Sequence, residues 1–442
     1  MERYIIKGGT RLHGFVEVCG AKNAVLPVLA ATILSPETSV IYNVPLLQDV
    51  VLMLEVLEHL GAKVRWEKKT LIINTSAINP TEVPEEIMKK MRASNLVIGP
   101  LLSRFRYVKV PFPGGCAIGS RPMDYHIKGI RQLGATIDER YGYIEAQATK
   151  LVGGEVYFDF PSVGATENVM MAAVLSPGVT VIRNAAREPE IVDLAHFLNN
   201  MGAKVAGAGS DIIQVTGVER LHGAEHRVIP DRIVAGTYML AAAITNGDIL
   251  LRNAMVEHLE PLIAKLRASG VSVQKNGKGI RVRGVPRLKS VDIKTMPYPG
   301  FPTDIQPQMM AVMSIAQGTS IILENIFENR FKHADELRRM GARVTTEGRV
   351  AVIKGVKKLT GADVEATDLR AGAALVLAGL AAEGVTVVHN IEHIDRGYHC
   401  LEQKYAQLGA NIIREKITDS SFDKLVNNCH MVQEKNSLHC KI

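Results

Sequence analysis

Aromatic residues, cysteines and long apolar runs are scarce in this sequence. One Trp occurs in 442 residues and aromatic residues make up 5% of the chain, so platforms that stack nucleic-acid bases are not expected. No apolar run approaches the about 20 residues that a helix needs to cross a bilayer, and the N-terminus lacks the apolar region of a signal peptide. The five scattered cysteines fit reduced thiols rather than a disulfide framework. These shortages favour a cytoplasmic protein.

The sequence motifs of common cofactor and metal sites are also missing. No stretch matches Gly-x-x-x-x-Gly-Lys-Ser/Thr, Gly-x-Gly-x-x-Gly, His-Glu-x-x-His or Cys-x-x-Cys. Cys429-His430 and His439-Cys440 have the composition of metal ligands, but their spacing fits no common zinc site. We therefore predict neither a metal nor a cofactor, and we expect residues 417–442 to form a mobile tail.

The composition is that of a well-folded soluble protein. Hydrophobic residues make up 47% of the chain and charged residues 22%, which leaves no disordered bulk. A chain of 442 residues is too long for one ordinary core and predicts two domains of about 200 residues each. The formal net charge of +7 is modest, and it suits nucleic acid or small anionic substrates equally well.

A helix end, a glycine and a strand recur six times, at intervals of about 70 residues. Glycine is the natural residue just past a helix C-terminus, because the left-handed conformation costs it little. The glycines that mark the repeat are Gly61, Gly134, Gly202, Gly270, Gly341 and Gly409. Such a period predicts one supersecondary unit that is used six times.

Each unit also contains an apolar helix followed by a β-branched strand, as in residues 238–253 and 374–390. Helices that are apolar on most faces are expected in the interior, and the strands should form sheets outside them. A unit of about 70 residues is too small to bury its apolar faces alone. We therefore predict two similar α/β domains of three units each.

The opening strands resemble a later part of the chain. Residues 4–18 follow the same pattern as residues 351–365, which indicates that the start of the chain completes a unit at its other end. We therefore predict one domain over residues 22–229 and a second over residues 1–21 and 230–416.

Aligning the units places polar residues at the start of each buried helix. Helix N-termini attract phosphates and carboxylates, although Ser, Asp and Asn are also ordinary helix caps. Capping does not explain cations, which oppose the helix dipole there and suggest a bound anion. The cations are Lys22, Arg92, Arg232 and Arg370, and the other residues are Asn23, Ser162, Asp231, Asp304 and Asp368. The charged runs at 187–190, 327–330 and 393–396 on their own suit surface salt bridges.

One loop interrupts the repeat where the other five units run from strand through Asn to helix. Residues 113–122 hold three glycines between two prolines, which favours an ordered loop whose backbone approaches a ligand. Cys116 precedes Arg121 in this loop, and a nearby cation stabilises the reactive thiolate. On these residues alone, a small apolar filler is the favoured interpretation. The position of the loop, at the break in the repeat, favours a reactive thiol instead.

A set of short motifs, taken in order, identifies a known family. The motifs are GAKNA (20–24), the loop 113–122, SVGAT (162–166), AREPEI (186–191), FPTD (301–304), FENR (327–330), ATDLR (366–370) and HIDRG (393–397). Together they resemble the enolpyruvyl transferases over about residues 1 to 415, most closely the branch that acts on UDP-N-acetylglucosamine. The resemblance implies two inside-out α/β barrel domains, each of three βα units, with a cleft that closes on substrates.

The implied reaction moves the enolpyruvyl group of phosphoenolpyruvate to the 3′-hydroxyl of UDP-N-acetylglucosamine and releases phosphate. It runs by addition and elimination, without a metal or a cofactor. In this family it is the first committed step of peptidoglycan synthesis, which serves cell-wall biogenesis, cell shape and division. The implied partners are these two small molecules, with no nucleic acid and no membrane. The oligomeric state stays open.

The resemblance also implies roles for individual residues. Cys116 would protonate the methylene carbon and is the residue that fosfomycin alkylates, and Asp304 would take the hydroxyl proton. Bidentate arginines suit the phosphate and the carboxylate of phosphoenolpyruvate. The catalytic residues would be Cys116, Asp304, Lys22 and Arg396, and the phosphoenolpyruvate contacts Lys22, Arg92, Arg121, Arg370 and Arg396. The UDP-sugar contacts would be Asn23, Arg92, Arg121, Ser162, Val163, Gly164, Asp304, Ile326 and Phe327, with Arg187, Glu188 and Asp231 in or behind the cleft.

Two features depart from the family, and three alternatives stay open. Phe160 and Pro161 stand where some relatives carry a lysine that meets the diphosphate, and residues 417–442 extend past the usual end. The shikimate-pathway enolpyruvyl transferase shares the fold and chemistry but lacks such a cysteine loop. A catalytically idle paralogue that binds UDP-sugar would release no phosphate. A basic repeat protein on nucleic acid would bind less tightly as the salt concentration rises.

Overall fold

Small β-sheets pack around buried helices in the computed structural model, which describes residues 2–79, 92–112, 118–119 and 123–416, with side chains from residue 95 onward in the second range. The strands in these ranges form six sheets, one for each repeat unit. Five of the sheets contain one parallel pair of strands, and their other pairs are antiparallel. The described strands of the sixth sheet, in the second unit, are antiparallel throughout.

The first half of the described chain alternates buried helices with short strands. Its helices are Lys22–Ala31, Gln48–His59, Ile98–Phe105, Asp124–Gln132, Val163–Ala173 and Pro189–Asn200, with 3₁₀ turns at Thr32–Leu34 and Arg92–Val97. Its strands are Thr38–Tyr42, Lys63–Glu67, Thr70–Asn74, Tyr107–Pro111, Thr136–Arg140, Tyr143–Gln147, Glu155–Tyr157, Val179–Arg183, Lys204–Ala206, Ile212–Thr216 and Glu225–Arg227.

The second half repeats this plan and includes two strands from the start of the chain. Its helices are Arg232–Ile244, Glu260–Ala268, Gln306–Met313, His333–Arg339, Leu369–Ala381, Glu392–Asp395 and Leu401–Gln407, with 3₁₀ turns at Val256–His258 and Thr303–Ile305. Its strands are Glu2–Lys7, His13–Glu17, Asp248–Arg252, Ser272–Asn276, Gly279–Arg283, Ile293–Lys294, Thr319–Leu323, Arg343–Glu347, Val350–Lys354, Asp363–Glu365, Val385–His389 and Asn411–Lys416.

The apolar helices of the repeat lie in the interior, as predicted. In Leu369–Ala381, every residue from Arg370 to Leu380 is buried. This helix packs against Arg232–Ile244 and Gln306–Met313, and its many alanines allow helices to approach closely without losing helix propensity. The strands alternate between buried and more exposed residues, which places the sheets outside the helices. No helix in the described ranges is long and apolar enough to cross a membrane.

The turns that mark the repeat have the backbone that the sequence predicts. All six repeat glycines are left-handed, with φ between 86° at Gly341 and 106° at Gly61. The asparagines that follow the strands are often left-handed too, as at Asn43 and Asn253 with φ of 62° and 56°. Their side-chain amides donate to the carbonyls of Val228 and Val18, each at 3.0 Å. Each asparagine thus ties a parallel edge strand to its unit.

The start of the chain completes sheets of the second half. Glu2–Lys7 lies between Val385–His389 and Asn411–Lys416 and is antiparallel to both. His13–Glu17 is parallel to Asp248–Arg252. These pairings hold the opening strands in the last and fourth units of the repeat.

Buried apolar residues form two separate clusters. One runs from Ala21 to Val228, and the other combines residues 4–18 with residues 233–412. The chain passes between them at a paired crossing, where Ala21 N donates to Ile229 O at 2.8 Å and Asp231 N donates to Cys19 O at 2.9 Å. On these grounds we propose the division into domains at 21/22 and 229/230.

Candidate active site

The acidic and hydroxyl residues at three helix starts are ordinary caps. Ala165 N donates to Ser162 Oγ at 3.4 Å, Ile233 N to Asp231 Oδ1 at 2.8 Å, and Ala371 N to Asp368 Oδ1 at 3.1 Å. Each side chain therefore satisfies an N–H group that the helix leaves free. Their presence at helix starts does not require a ligand.

Asp231 has a second contact that joins the two halves of the chain. Its Oδ2 accepts a hydrogen bond from the backbone N–H of Lys22 at 3.1 Å, while Oδ1 caps the helix Arg232–Ile244. The start of the helix Lys22–Ala31 is therefore fixed to the start of the helix Arg232–Ile244. This contact places Lys22 at the junction of the two clusters.

Lys22 and Arg396 share one buried carboxylate. Lys22 Nζ lies 3.1 Å from Asp49 Oδ2, and Arg396 Nε lies 2.9 Å from Asp49 Oδ1. Asp49 is 3% exposed and lies in the first turn of Gln48–His59. Two cations that the resemblance assigns to phosphoenolpyruvate are thus held together, although 347 positions separate Asp49 from Arg396.

The surroundings shift the pKa of both partners in this cluster. Burial lowers the pKa of Lys22; Asp49 opposes this shift, and the charges of Arg370 and Arg396 add to it. Burial alone would raise the pKa of Asp49, but Lys22 and Arg396 outweigh it and hold that pKa below its ordinary value. Lys22 therefore lies within electrostatic reach of both arginines.

Asp49→Asn is expected to destabilise the protein, because it leaves the nearly buried Lys22 and the partly exposed Arg396 without their counter-ion. Removing one partner of a buried pair costs about 3 kcal/mol in the free energy of unfolding. The folded-state pKa of Asp49 is lowered, so its contribution is complete above the unfolded pKa and is lost as the pH falls through the folded value. The stability gap between wild type and variant, measured by denaturant unfolding, should therefore be constant near pH 7 and narrow below about pH 4.

The control for this variant is Asp159→Asn, whose carboxylate forms an exposed pair with Lys128 at 3.2 Å. Exposed pairs contribute little, so its stability should match wild type at every pH. A stability gap for Asp49→Asn that is independent of pH down to pH 2 would contradict the assignment.

A second cluster surrounds Asp304. Nη2 of Arg330 lies 3.0 Å from Asp304 Oδ1, and Nη2 of Arg370 lies 3.0 Å from Oδ2. Arg330 and Arg370 are 2% and 3% exposed, so these charge-assisted hydrogen bonds join buried guanidinium groups to a partly exposed carboxylate. Asp304 lies in the turn before Gln306–Met313, and no side chain caps that turn. Its carboxylate is directed to the arginines instead.

Arg232 has a protein partner that accounts for its place at a helix start. Its Nε lies 3.0 Å from Glu190 Oε1, and its Nη2 lies 3.4 Å from Oε2. Glu188, from the same loop, accepts a long hydrogen bond from Tyr298 N at 3.5 Å. Glu190 therefore explains why a cation lies at this helix start, and Arg232 does not indicate a bound anion. The Arg187 side chain is exposed and donates to Gly209 O at 3.5 Å.

The remaining candidate residues lie on helix starts and one loop. Asn23 follows Lys22 in the helix Lys22–Ala31, and Val163 and Gly164 begin the helix Val163–Ala173. A Cβ on Gly164 would lie 3.0 Å from Cε1 of His126, so any larger residue at this position would require the histidine ring to shift. Ile326 and Phe327 donate their backbone N–H groups to Glu324 Oε1 at 2.9 and 3.2 Å.

Three predicted residues lie outside what the structure describes. These are Cys116, Arg121 and the side chain of Arg92. In the described part of the cysteine loop, residues 118–119, Ile118 O accepts a hydrogen bond from Asn329 N at 3.0 Å. A Cβ on Gly119 would lie 2.7 Å from Oε2 of Glu328. This part of the loop therefore contacts the FENR segment of the second half.

Two residues of the site were not predicted as ligands or partners. Asp49 carries no motif, and an acid in a first helical turn usually serves only the helix dipole. Arg330 belongs to the FENR motif, whose charges suit a surface salt bridge, but it is among the largest fully buried side chains. Among the described residues, no group of three His, Cys, Asp or Glu side chains is placed to hold a metal ion.

These observations agree with comparisons to known proteins. The chain belongs to the family described as EPSP synthase (3-phosphoshikimate 1-carboxyvinyltransferase), whose model matches residues 6–405. The fold is that of the enolpyruvyl transferase NikO from Streptomyces tendae, with a TM-score of 0.86 and 24% identity over 94% of this chain and 99% of that one.

More similar sequences carry a more specific name. A UDP-N-acetylglucosamine 1-carboxyvinyltransferase 1 from Carboxydothermus hydrogenoformans is 57% identical over 94% of this chain and 98% of its own length. A protein of the same name from Caldanaerobacter subterraneus subsp. tengcongensis is 55% identical over 93% of this chain and 99% of its own. The enolpyruvyl transferase fold and family predicted from the sequence are thereby confirmed.

Proposed function

We propose that the protein transfers the enolpyruvyl group of phosphoenolpyruvate to the 3′-hydroxyl of UDP-N-acetylglucosamine and releases phosphate, the first committed step of peptidoglycan synthesis. The observation that carries the proposal is the convergence of Lys22, Arg370 and Arg396, which lie close enough to shift the pKa of Lys22. Relatives named UDP-N-acetylglucosamine 1-carboxyvinyltransferase share 53–57% of their residues with the chain. The partners proposed are these two small molecules, and the location proposed is the cytoplasm.

The cation cluster suits a substrate with two anionic groups. Phosphoenolpyruvate carries a phosphate and a carboxylate, and arginine forms bidentate hydrogen bonds with both. Lys22 and Arg396, held by Asp49, and Arg370, held by Asp304, supply fixed positive charge in a buried setting. We assign phosphoenolpyruvate to these residues together with Arg92 and Arg121. Fixed donors of this kind stabilise charge that develops in a transition state without reorganisation.

The chemistry needs one base and one acid. The sugar hydroxyl loses its proton to Asp304 as its oxygen adds to C2 of phosphoenolpyruvate, and C3 gains a proton from Cys116. The resulting ketal then loses a proton from C3 to the Cys116 thiolate and phosphate from C2, which restores the carbon–carbon double bond. The departing phosphate takes the proton held by Asp304, so both groups return to their starting states. General acid–base groups of this kind contribute about 10²- to 10⁴-fold to the rate.

The helix starts and the 324–327 loop suit the UDP-sugar. The helix Val163–Ala173 offers free N–H groups near Ser162, Val163 and Gly164, where a diphosphate is stabilised by the helix dipole. We assign the nucleotide sugar to these residues and to Asn23, Arg92, Arg121, Asp304, Ile326 and Phe327. Because Phe160 and Pro161 stand where some relatives carry lysine, the diphosphate depends more on backbone N–H groups here.

A phosphate-release assay with purified protein tests the proposal. Phosphate should appear only when phosphoenolpyruvate and UDP-N-acetylglucosamine are both present, at a rate proportional to protein concentration. Shikimate 3-phosphate in place of the UDP-sugar is the matched control and should give no release. Release with shikimate 3-phosphate would support the shikimate-pathway enzyme instead. No release with either acceptor would support the catalytically idle paralogue.

Cys116→Ser is expected to abolish most turnover, whereas Cys116→Asp should keep it and remove sensitivity to fosfomycin. A carboxylic acid can donate a proton as the thiol does, but it cannot be alkylated by the drug in the same way. The measurement is phosphate release with and without fosfomycin, together with mass spectrometry of the treated wild-type protein. Labelling of Cys19 or Cys400 instead of Cys116 would contradict the assignment.

A further inference from the structure

A buried hydroxyl group contacts Arg370 at a different nitrogen from the one that Asp304 contacts. Tyr398 Oη lies 3.3 Å from Nη1 of Arg370, whereas Asp304 accepts from Nη2. Arginine can only donate, so the tyrosine oxygen accepts. Both side chains are almost completely buried, at 2% and 3% exposed. The guanidinium group is therefore held at two points by groups from two separate segments.

The hydroxyl group is itself fixed by two further residues. Gln308 Nε2 donates to Tyr398 Oη at 3.2 Å, and Thr237 Oγ1 lies 2.9 Å from the same oxygen. Thr237 Oγ1 gives its own proton to Ile233 O at 2.9 Å, so it accepts the proton of the tyrosine. The tyrosine oxygen thus accepts two hydrogen bonds and donates one. It has no freedom to rotate away from Arg370.

These contacts join the buried helices of the second half. Thr237, Gln308 and Arg370 belong to Arg232–Ile244, Gln306–Met313 and Leu369–Ala381, respectively. Tyr398 follows Arg396 by two residues, and its N–H donates to Ile394 O at 3.0 Å. One hydroxyl group therefore links three core helices to the segment that carries another of the predicted anion-binding cations.

We infer that Tyr398 is a positioning residue that orients Arg370 for the anionic substrate. This inference rests on the proposed function and deepens it. A free arginine side chain loses rotamer freedom when it binds an anion, and fixing it beforehand removes that cost from binding. The Tyr398 hydroxyl does this from inside the core. It has no need to contact the substrate.

Tyr398→Phe keeps the ring and removes only the hydroxyl group. Loss of one hydrogen bond to a charged group should raise KM for phosphoenolpyruvate about tenfold. KM for UDP-N-acetylglucosamine should change less than about twofold, since Arg370 is assigned to the other substrate. A general loss of structure would instead affect both KM values and kcat together. Steady-state phosphate release with each substrate varied in turn measures this split.

The chain provides a matched control in Tyr405→Phe. Tyr405 is fully buried in the same half and packs its ring against Tyr238, with centroids 5.6 Å apart. Its hydroxyl has no hydrogen-bond partner among the described residues. Removing this hydroxyl should leave both KM values unchanged. The melting temperature should equal or exceed that of the wild type. If Tyr398→Phe fails to fold, Thr237→Val should show the same selective rise in KM, because it removes the acceptor of the phenol proton. It also removes the hydrogen bonds of Thr237 Oγ1 to Ile233 O and from Gln308 Nε2.

A double-mutant cycle shows whether Tyr398 acts through Arg370. In a protein that already carries Arg370→Lys, adding Tyr398→Phe should raise KM for phosphoenolpyruvate by less than about twofold relative to Arg370→Lys alone. An effect that is as large as in wild type, or an active Tyr398→Phe protein with unchanged KM, would overturn the positioning role and leave the proposed function intact. A wild-type protein that neither releases phosphate nor binds phosphoenolpyruvate in calorimetry would overturn both.

Discussion

Asp304→Asn is expected to lower kcat by about 10²- to 10⁴-fold, the range for removal of a general base. The amide has no basic oxygen for the sugar hydroxyl. In the wild type, Arg330 and Arg370 each donate to one oxygen of the Asp304 carboxylate at 3.0 Å. In the variant, the NH₂ group of the amide replaces one of these oxygens and faces one of the two arginines. Because an arginine cannot accept a hydrogen bond, one of the two contacts is lost as well. The measurement is phosphate release at saturating concentrations of both substrates.

The second half offers a carboxylate in a similar setting as the control. Asp248 also lies between two arginines, with Arg281 Nη2 at 2.7 Å and Arg283 Nε at 3.2 Å, but it is in a strand of an outer sheet. Asp248→Asn should leave kcat unchanged. If Asp304→Asn retains more than about a tenth of the wild-type kcat, general-base catalysis by this residue is excluded.

The repeat could be predicted from the sequence because its signals are local. The preference for glycine just past a helix end depends only on the φ of that residue, and all six repeat glycines are left-handed. An apolar helix such as Leu369–Ala381 shows its burial by composition alone. The family fold follows from these features together. Several site residues proposed from the resemblance, among them Lys22, Val163 and Arg370, inherit their positions from the same repeat, at helix starts.

The partners of the cations could not be predicted in the same way. Asp49 lies between Lys22 and Arg396, and nothing near residue 49 in the sequence refers to residue 396. Likewise, Glu190 pairs with Arg232 from across the chain crossing. A cation at a helix start shows that an anion is needed there. Only the three-dimensional structure tells whether that anion comes from a substrate or from another part of the chain.

The same distinction limits what each cation contributes to catalysis. Arg232 is already paired with both oxygens of Glu190, whereas Lys22 shares the single carboxylate of Asp49 with Arg396. Lys22 and Arg396 together carry one more positive charge than Asp49 neutralises. That excess charge, in a buried setting, attracts an anionic substrate.

Lys22→Met is expected to lower kcat/KM for phosphoenolpyruvate by about 10²- to 10³-fold, the range for loss of one fixed donor to developing charge. Methionine keeps the length and apolar stem of lysine but supplies no charge. The variant leaves Asp49 paired with Arg396 alone, so the net positive charge of the cluster is lost. Lys358→Met, in an exposed pair with Glu383, is the control and should keep wild-type kinetics.

The pH dependence separates the charge of Lys22 from its shape. Burial lowers the pKa of Lys22 from the ordinary value of 10.5, so a rising pH removes its proton earlier than from a solvated lysine. In wild type, kcat/KM for phosphoenolpyruvate should therefore fall on the alkaline side as Lys22 loses its charge. Lys22→Arg keeps the charge across this range, although its planar group fits the position less well. Near pH 7, kcat/KM of Lys22→Arg should be lower than that of the wild type, and it should not fall at alkaline pH through loss of a proton at residue 22. An identical alkaline fall in both proteins would assign the titration to another group.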